Sequence, residues 1–395
     1  MSAQELRACP VCGGQDHRLV HSQRFMSGPL GNGYNVVVCK QCGAGFADKT
    51  PLQSQMDHYY ADHSKYAYEH TAGAESPWDF IRFEKTAEQV SPHLLSREIH
   101  ILDVGCATGG LLSVFKKRGF KNLLGADPSP ACAATAERLY GVEVRAATLA
   151  QMADWDERFD LILMVGVLEH LREAKDAVNV VSRLLNHGGS IYCAVPNVEG
   201  LADCVNAPYQ QFSIEHVNFF SHGTLKRLMR ECGMGEIDAW KWTVDWRENI
   251  TEPIVSGLYR RKQTQERNDF DTATGAALDR YLAFSYTEDQ KIVSVIDSLV
   301  RTQEPILVWG AGTLARRLLA TTRLAEAKIA AFVDSNSHFH GQVLAGRPIL
   351  GPNEIASRRE SILVCSVCFA QEITSAIRME HKFSGRLISF PTKGT

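Results

Sequence analysis

The sequence predicts an α/β protein in which two domains with largely parallel sheets follow a small cysteine-rich module. Apolar segments typical of buried strands alternate with amphipathic segments typical of helices, and this alternation favours open parallel sheets. Two of the apolar segments, within 99–112 and 305–319, lead into glycine-containing turns that precede a helical segment. Two Cys-x-x-Cys-Gly sequences, at 9–13 and 39–43, precede both of them. The chain therefore combines a metal-ligand pattern with two patterns typical of small-molecule binding.

Length, charge and hydropathy exclude several classes of protein. At 395 residues the chain is long enough for two or three domains with separate cores. Its formal net charge of −3 gives no electrostatic reason to expect a nucleic acid or an anionic membrane as partner. The N-terminus lacks the basic start and apolar run of a signal peptide, and no apolar run is long enough to cross a bilayer. We therefore expect a cytoplasmic protein, monomeric or dimeric, that acts on a small molecule.

Four of the eleven cysteines form two pairs near the N-terminus. Each pair is followed by a glycine, which lets the backbone curl around two thiolates. Two such turns complete the tetrahedral thiolate site that suits Zn²⁺, with the ligands Cys9, Cys12, Cys39 and Cys42. A closed four-cysteine site has no open coordination position, so its predicted role is structural. Redox chemistry and unliganded thiols remain alternatives, whereas a DNA-binding finger would need more basic residues than this module has.

Residues 51–97 are dense in aromatic side chains, and two interpretations of them are equally open. In the first, a helical linker buries these side chains in a core. In the second, the segment is a lid over a small-molecule pocket. Tyr66 and Tyr68 of this segment, and Tyr209 further along the chain, are candidates to line the substrate site.

The central segment begins with "IHILDVGCATGGLL", a strand, a glycine-rich turn and a helix. Asp103 lies at the end of this strand, and Gly105 and Gly109 let the chain turn tightly next to a ligand. A second strand ends in Asp127, where an acidic side chain fits the acceptor of a ribose diol. An acid directly before the glycine loop would repel phosphate, so Asp103 favours a cationic or amine ligand.

Together, "LDVGCATGG", Asp127 and "VLEHL" resemble class I S-adenosylmethionine (SAM)-dependent methyltransferases with a doubly wound sheet, over roughly residues 98–240. The resemblance implies that Asp103, Gly105 and Gly109 bind the amino-acid end of SAM and that Asp127 binds the ribose hydroxyls. It places Thr148 and Leu149 beside the adenine. An α/β domain without a cofactor is the alternative.

The C-terminal segment "PILVWGAGTLARRLL" contains G-x-G-x-x-A between a strand and a helix. Alone, Gly310 and Gly312 would indicate a nicotinamide site and a ketoreductase. Because one enzyme seldom needs both cofactors, we favour a Rossmann-like domain that no longer binds a dinucleotide. Cys365 and Cys368 form a third Cys-x-x-Cys, but without a second pair they are not expected to hold a metal.

The order of zinc module, methyltransferase domain and Rossmann-like domain resembles that of bacterial sugar methyltransferases, notably the C-methyltransferases of deoxysugar pathways. The segment "FSIEHVNFF" resembles their Tyr-x-Glu-His motif in Glu215 and His216, although Ser213 replaces the tyrosine. In "VGVLEHL", His170 matches a histidine that lines the sugar site of that family. A histidine titrates near neutral pH, so His216 is the candidate base, with Glu215 as its partner and His170 as a substrate ligand.

The sequence therefore predicts a SAM-dependent methyltransferase of a nucleotide-linked sugar, with C-methylation of a ketosugar as the leading hypothesis. An O- or N-methyltransferase of a sugar or secondary metabolite is one alternative, and a non-catalytic SAM-binding partner subunit is another. The predicted domains are a zinc module (1–50), an aromatic lid or linker (51–97), the methyltransferase domain (98–245), a helical connector (246–304) and a Rossmann-like domain (305–395).

Overall fold

The computed structural model describes residues 7–28, 31–63, 73–204, 207–247, 250–262 and 269–391. The chain divides into two compact units. The first comprises Met1–Val20, Val36–Cys204 and Glu215–Asp279, and the second comprises His21–Asn35, Val205–Ile214 and Arg280–Thr395.

A small sheet follows the first cysteine pair. Its four strands have the order β1-β2-β3-β9 and span His17–Gly28 (β1), Gly31–Cys39 (β2), Gly45–Asp48 (β3) and Asn218–Phe219 (β9). Strand β3 pairs antiparallel with β9, with Gly45 opposite Phe219 and Phe46 opposite Asn218. The cysteine-rich segment is thereby joined to a segment more than 150 residues further along the chain.

The first unit contains a seven-stranded mixed sheet with the order β10-β11-β8-β7-β4-β5-β6. Its strands are His100–Val104 (β4), Asn122–Asp127 (β5), Glu143–Ala146 (β6), Phe159–Val165 (β7), Leu185–Pro196 (β8), Met234–Arg247 (β10) and Ile250–Arg261 (β11). The run from β6 to β8 is parallel, and β11 and β10 add an antiparallel edge. The predicted α/β fold with a largely parallel sheet is confirmed, and the antiparallel edge is an addition to it.

Helices flank this sheet because its central strands are apolar on both faces. In the central strand β7, Leu161 and Leu163 pack with Phe115 in one core cluster, whereas Ile162 and Met164 lie in the other. Successive side chains of a strand point to opposite faces, so the apolar run from Leu161 to Met164 needs cover on both sides. The helices of this unit are Gln53–His63 (α1), Pro77–Val90 (α2), Gly110–Lys117 (α3), Pro130–Tyr140 (α4), Leu149–Met152 (α5), Ala174–Arg183 (α6) and His222–Glu231 (α7).

The segment 246–304, predicted as a helical connector, differs from the prediction in its first part. Strand β11 occupies Ile250–Arg261 and pairs with both β10 and β8, and helix α8 (Ala273–Thr302) begins only after it. The strand is buried along most of its length, so its sequence lacks the alternation that would have revealed it. It also contains Pro253 and Gly257, which argue against an interior strand.

The second unit is built on a six-stranded sheet with the order β14-β15-β13-β12-β16-β17. Its strands are Ile306–Trp309 (β12), Ile329–Val333 (β13), Val343–Leu344 (β14), Arg347–Leu350 (β15), Ser361–Val364 (β16) and Leu387–Ser389 (β17), and its further helices are Thr313–Thr321 (α9) and Ala370–Met379 (α10). The pairing is parallel except between β14 and β15. Buried clusters cover both faces, as expected of a Rossmann-like sheet.

Candidate active site

A cavity of about 380 Å³ opens at the carboxyl ends of the parallel strands of the first unit. Strand ends or the loops after them supply one wall, and α1, α2, β10 and β11 supply the others. The volume falls within the range of small-molecule pockets. Open parallel sheets bind ligands at this edge, where loops of variable sequence meet fixed strand ends.

The glycine-rich loop between β4 and α3 forms part of the cavity floor. Gly105 has a φ of 69°, and a Cβ there would lie 2.7 Å from Cγ2 of Val167. Gly109 begins α3 with a φ of 84°, and a Cβ there would lie 2.6 Å from Cγ2 of Val142. Of the two predicted cofactor glycines, Gly105 lines the cavity, whereas Gly109 is outside the lining and is constrained by the packing below the loop.

Asp127 lies at the end of β5 and fixes the glycine loop. Its Oδ2 accepts a hydrogen bond from the backbone N–H of Ala107 at 3.0 Å, and its Oδ1 accepts one from Ser129 at 2.9 Å. Burial raises the pKa of this carboxyl, and the two backbone donors oppose that shift. Each carboxylate oxygen has a second lone pair, so the cavity-lining Asp127 retains capacity to accept from a ligand.

Asp103 is buried at the end of β4 and also lines the cavity. Burial raises the pKa of its carboxyl well above the ordinary value, and the neighbouring charges of Asp127 and Glu75 add to the shift, while Arg82 opposes it. Arg82 projects into the same cavity from α2 and donates to Asp79 at 3.4 Å. The cavity thus places an acid and a guanidinium near one another.

Glu75 is a residue that the sequence reasoning missed. Its carboxylate accepts from the Thr108 hydroxyl at 2.6 Å and from the backbone N–H of Gly110 at 2.9 Å, and it also accepts from the Tyr140 hydroxyl. It thereby satisfies the first turn of α3, directly below the glycine loop. The available signal was an acidic residue beside the capping sequence Ser-Pro that opens α2, but nothing in the sequence connects it to a loop more than 30 residues away.

Thr148 and Leu149 line the cavity after β6, where the resemblance places the adenine. The Thr148 side chain caps α5 by accepting from the backbone N–H of Gln151 at 3.4 Å, and its hydroxyl also donates to the Gln151 side chain at 3.2 Å. These contacts use the proton and one lone pair of the Thr148 hydroxyl. This part of the wall is otherwise apolar, with Met152 and Pro128.

The three predicted catalytic residues meet at the same cavity. The rings of His170 and His216 lie 4.8 Å apart, edge to face. His170 Nδ1 lies 3.2 Å from the backbone carbonyl of Glu215 and 3.0 Å from the Tyr60 hydroxyl. Tyr59 donates from its hydroxyl to Glu215 Oε1 at 3.0 Å. The loop after β7 and the segment before β9, 45 residues apart, therefore form one cluster under helix α1.

Glu169, also missed, is the neighbour of His170 and is 4% exposed. Its Oε1 lies 4.0 Å from His170 Nε2, and its Oε2 is buried without a hydrogen-bond partner among the described residues. Burial raises the pKa of Glu169 to about 8. The sequence signal was an acidic residue within the apolar "VGVLEHL", whose neighbouring histidine drew attention instead.

Two of the predicted substrate tyrosines, Tyr66 and Tyr68, lie outside the described residues. The third, Tyr209, belongs to the second unit, where its ring stacks on His21 at 5.2 Å and its backbone N–H donates to the Ser285 hydroxyl at 3.0 Å. It is not among the residues that line this cavity, and its role at a substrate site stays a prediction. Packing among sequence-distant aromatic residues decided where it lies, and the sequence contained no sign of it.

The four N-terminal cysteines converge on one point. Cys9 and Cys42 Sγ atoms are 3.6 Å apart, as are those of Cys12 and Cys39, and all four sulfurs lie within 4.8 Å of one another. A tetrahedron with Zn–S bonds of about 2.3 Å has sulfur–sulfur edges of about 3.8 Å. Each pair is closed by the same backbone bond, from Gly13 N–H to Cys9 and from Gly43 N–H to Cys39. The thiols therefore fit a tetrahedral metal ion.

The cysteine module is tied to the loops that form the cavity. Arg7 is buried and donates to the backbone carbonyls of Ala47 and Val217 at 3.2 and 3.0 Å, and to that of Arg172. Val217 directly follows His216 in the chain. Burial lowers the pKa of Arg7 to about 9. The module thus holds the His216 segment through both Arg7 and the β3–β9 pairing.

Comparison with known proteins agrees with this geometry. Residues 54–234 match the family model described as a methyltransferase domain. The match spans the strands that border the cavity, so the central part of the first unit is similar to methyltransferase domains in sequence as well as in sheet order. Residues 302–384 match a second model, described as C2185-like, N-terminal.

Similar proteins include two enzymes of different kinds. The ubiquinone biosynthesis O-methyltransferase of Rhizobium etli (strain CIAT 652) is 35% identical over 115 residues, which are 28% of this chain and 46% of that protein. The tRNA U34 carboxymethyltransferase of Pseudomonas aeruginosa (strain LESB58) is 29% identical over 178 residues, which are 41% of this chain and 55% of that protein. The chain thus spans about half the length of these relatives.

Among solved structures, the magnesium protoporphyrin IX methyltransferase from Synechocystis PCC 6803 with bound SAM is similar at 12% identity. The match covers 52% of this chain and 96% of that one, with a TM-score of 0.38. Within the described ranges, none of the helices combines the length and apolar character needed to cross a membrane.

Proposed function

We propose that this protein transfers a methyl group from SAM to a small-molecule acceptor. One observation carries the proposal: a single cavity is lined both by the acids expected to bind SAM and by a histidine pair able to take up a proton. Asp103 and Asp127 lie at two strand ends of this cavity, and His170 and His216 lie in its wall. Enzymes need such proximity because transfer between two bound reactants depends on their alignment.

The charges of the cavity suit the two ends of SAM. The Asp103 carboxylate matches the ammonium of the methionine moiety, and the Arg82 guanidinium matches its carboxylate. Asp127 retains acceptor capacity for the ribose diol. Thr148 and Leu149 contribute to the wall beside the adenine, where apolar contact replaces a side-chain hydrogen bond.

Bound SAM supplies an electrophilic methyl group on a sulfonium. The chain must then orient the acceptor and take up its proton. We propose His216 as the base, since an imidazole accepts protons near neutral pH. Its neighbour Glu215, held by Tyr59, adds negative charge that favours the resulting imidazolium. When the ring proton of His170 is on Nδ1, this nitrogen can donate a hydrogen bond to the backbone carbonyl of Glu215. Nε2 then carries a lone pair that can accept a hydrogen bond from the methyl acceptor.

For the acceptor, we propose a nucleotide-linked sugar, with C-methylation of a ketosugar first. The order of the cysteine module, methyltransferase domain and Rossmann-like domain supports it, as do Glu215 and His216 in the motif of the sugar C-methyltransferases. O-methylation is the second candidate, because the Rhizobium relative is named an O-methyltransferase.

The remaining parts of the chain receive supporting roles in this proposal. The four cysteines bind one structural zinc ion in the module of residues 1–50. In the predicted lid or linker of residues 51–97, the described helices α1 and α2 contribute to the cavity wall. The Rossmann-like domain of residues 305–395 acts as a scaffold.

One experiment tests the reaction directly. The purified protein is incubated with SAM carrying a ¹³C-methyl group and with nucleotide-linked sugars that differ only in the presence of a keto group. NMR then locates the label on carbon, oxygen or nitrogen. Label on a ring carbon of the keto sugars alone supports C-methylation, and label on oxygen supports the second candidate. Transfer to none of the sugars contradicts the proposed substrate class.

A further inference from the structure

Glu169 is a buried carboxyl group beside His170 and His216 in the cavity wall, and it has no role in the mechanism above. It is 4% exposed, it lines the cavity, and its Oε2 has no hydrogen-bond partner among the described residues. A buried polar atom without a partner costs free energy, and a ligand that enters the cavity would supply the missing partner.

The surroundings of Glu169 do not favour a permanent negative charge. Burial raises its pKa to about 8 and Glu252 on β11 adds to the shift, while its own backbone N–H and Arg82 on α2 oppose it. His170 Nε2 lies 4.0 Å from Oε1, too far for a hydrogen bond. These surroundings favour the protonated carboxyl at neutral pH.

Glu75, a second buried glutamate of the same unit, differs from Glu169 in its hydrogen bonds. Glu75 accepts from the Thr108 hydroxyl, the Gly110 N–H and the Tyr140 hydroxyl, as a carboxylate does when the fold uses it as a structural acceptor. Glu169 has no comparable set of donors around Oε2. The two buried carboxyls are thus held in different ways.

We propose that Glu169 binds the methyl acceptor as a neutral carboxylic acid, donating a hydrogen bond from Oε2 to an acceptor oxygen next to the methylated atom. This inference rests on the proposed function and narrows the acceptor to a carbonyl or hydroxyl compound. A cationic amine has no lone pair to receive this bond. The short distance between Glu169 and the proposed base His216 supports this inference. Three atoms lie within 4.8 Å of one another: a carboxylate oxygen of Glu169, a ring nitrogen of His170 and a ring nitrogen of His216.

In C-methylation, the hydrogen bond from the Glu169 carboxyl group would stabilise the enolate of the acceptor. The base His216 takes the proton from the carbon next to the carbonyl, and the C–H electron pair becomes the double bond of an enolate. The carbonyl π pair moves to the oxygen, where the Glu169 hydroxyl stabilises the developing charge. The enolate carbon then bonds to the methyl group, and the C–S pair returns to sulfur. The Glu169 proton stays on Glu169 throughout.

The protonation of Glu169 is tested first, without any acceptor. The side-chain carboxyls of glutamate are labelled with ¹³C, and their resonances are followed by NMR between pH 4 and pH 10. We expect one resonance to titrate near pH 8, far above the ordinary value of about 4.3. It should disappear in E169Q and persist in E157Q, which changes an exposed glutamate. Titration of every glutamate in the ordinary range overturns the proposal.

The donor role is tested by kinetics with a nucleotide-linked 4-keto-6-deoxyhexose as probe. The amide of E169Q keeps a donor of similar shape, so its kcat at pH 7 should stay within about threefold of the wild type and should not fall above pH 8, where the wild type loses its proton. E169A lacks a donor and should lose about 100-fold or more in kcat. SAM affinity, measured by calorimetry, should be unchanged in both.

Other outcomes of the kinetics overturn the donor role. If E169Q is as inactive as E169A, Glu169 acts as a base. If chelation abolishes wild-type activity and Mg²⁺ restores it, Glu169 is a metal ligand. If the wild type methylates none of the sugars, the proposed substrate class fails, and the NMR titration by itself decides whether Glu169 is neutral.

Discussion

At the scale of single residues, the same hydrogen-bond pattern occurs in both units with different consequences. Asp127 accepts from Ala107 N–H and Ser129 N–H, and Asp334 accepts from Ala311 N–H at 2.7 Å and from Asn336 N–H at 2.9 Å. Each acid fixes the turn after the first strand of its sheet. The fixed turn alone therefore does not distinguish a ligand site from a scaffold, and the cavity found next to Asp127 does.

Asp127 and Asp334 can be changed in the same way to test SAM binding. D127N removes the negative charge while keeping the size of the side chain, and we expect the SAM dissociation constant to rise about 10- to 100-fold. Isothermal titration calorimetry measures it. D334N makes the same change in the second unit and should leave SAM affinity unchanged. Equal affinity of D127N and the wild type would remove Asp127 from the ribose role.

Replacing His216 tests the proposed base. H216A should lower the rate of methyl transfer about 10²- to 10⁴-fold, because no base is then in place to take up the proton of the substrate. SAM affinity should not change, since His216 is not proposed to contact SAM. H187A replaces an exposed histidine near the start of β8 and is the control. Turnover of H216A at the wild-type rate would exclude His216 as the base.

Asp103 is expected to lower the stability of the fold through its burial while it contributes to SAM binding. Its pKa is raised in the folded chain by burial and by Asp127 and Glu75, with Arg82 opposing. Between its unfolded value near 4 and the raised folded value, the folded state binds more protons, so wild-type stability falls as pH rises through this window. D103N removes that penalty.

We therefore expect D103N to be more stable than the wild type near neutral pH, with the gain shrinking as pH falls towards 4. Urea unfolding at several pH values measures this, and SAM binding by the same variant should be weaker. D154N, at an exposed aspartate, should change neither property. A gain that does not depend on pH would show that the Asp103 charge is not its source.

At the scale of elements, the cysteine module acts through β3. This strand begins three residues after Cys42, and it pairs with β9, which begins two residues after His216. Ala47 also donates from its backbone N–H to the Val217 carbonyl at 2.9 Å. A metal that fixes the two cysteine turns would therefore fix the position of the proposed base without touching it.

Removing one cysteine tests this link. C39S should lose the zinc and about 2 kcal/mol or more of unfolding free energy, because three thiolates hold zinc weakly and the turns lose their common ligand. Metal analysis and thermal unfolding measure these effects, and methyl transfer should fall with them. C368S changes the third Cys-x-x-Cys and should retain one zinc per chain. Metal-free wild-type protein that remains folded would contradict the four-cysteine site.

At the scale of the whole molecule, the second sheet raises the question of a second cofactor. Gly310 has a φ of 112° at the turn after β12, as a dinucleotide loop requires, and a Cβ there would lie 3.2 Å from the Cys365 carbonyl oxygen. The backbone conformation is therefore explained by packing against the neighbouring strand. It does not need a bound pyrophosphate.

We accordingly expect no saturable binding of NADPH by the complete protein. Fluorescence titration measures it, with SAM binding by the same sample as the control for native protein. Tight NADPH binding would contradict the scaffold role of residues 305–395 and would favour ketoreduction.

The sequence by itself determined the local features. Strand ends at Asp103 and Asp127, the turns at Gly105 and Gly310 and the two cysteine turns all follow from residue types within a few positions of one another. Such patterns are visible because backbone conformation and metal geometry restrict which residues are allowed locally. The predicted α/β sheet and its cavity at the strand ends were accessible in the same way.

Only the tertiary structure decided which distant residues meet. It brought Glu75 under the glycine loop and Tyr59 and Tyr60 onto the histidine cluster. It also placed Glu169 in the cavity wall with an Oε2 that has no hydrogen-bond partner among the described residues. It also placed Tyr209 in the other unit and made β11 an interior strand. These outcomes depend on packing between segments far apart in the chain, which leaves no periodic trace in either segment. Burial, which decides whether Glu169 holds a proton, is itself a property of that packing.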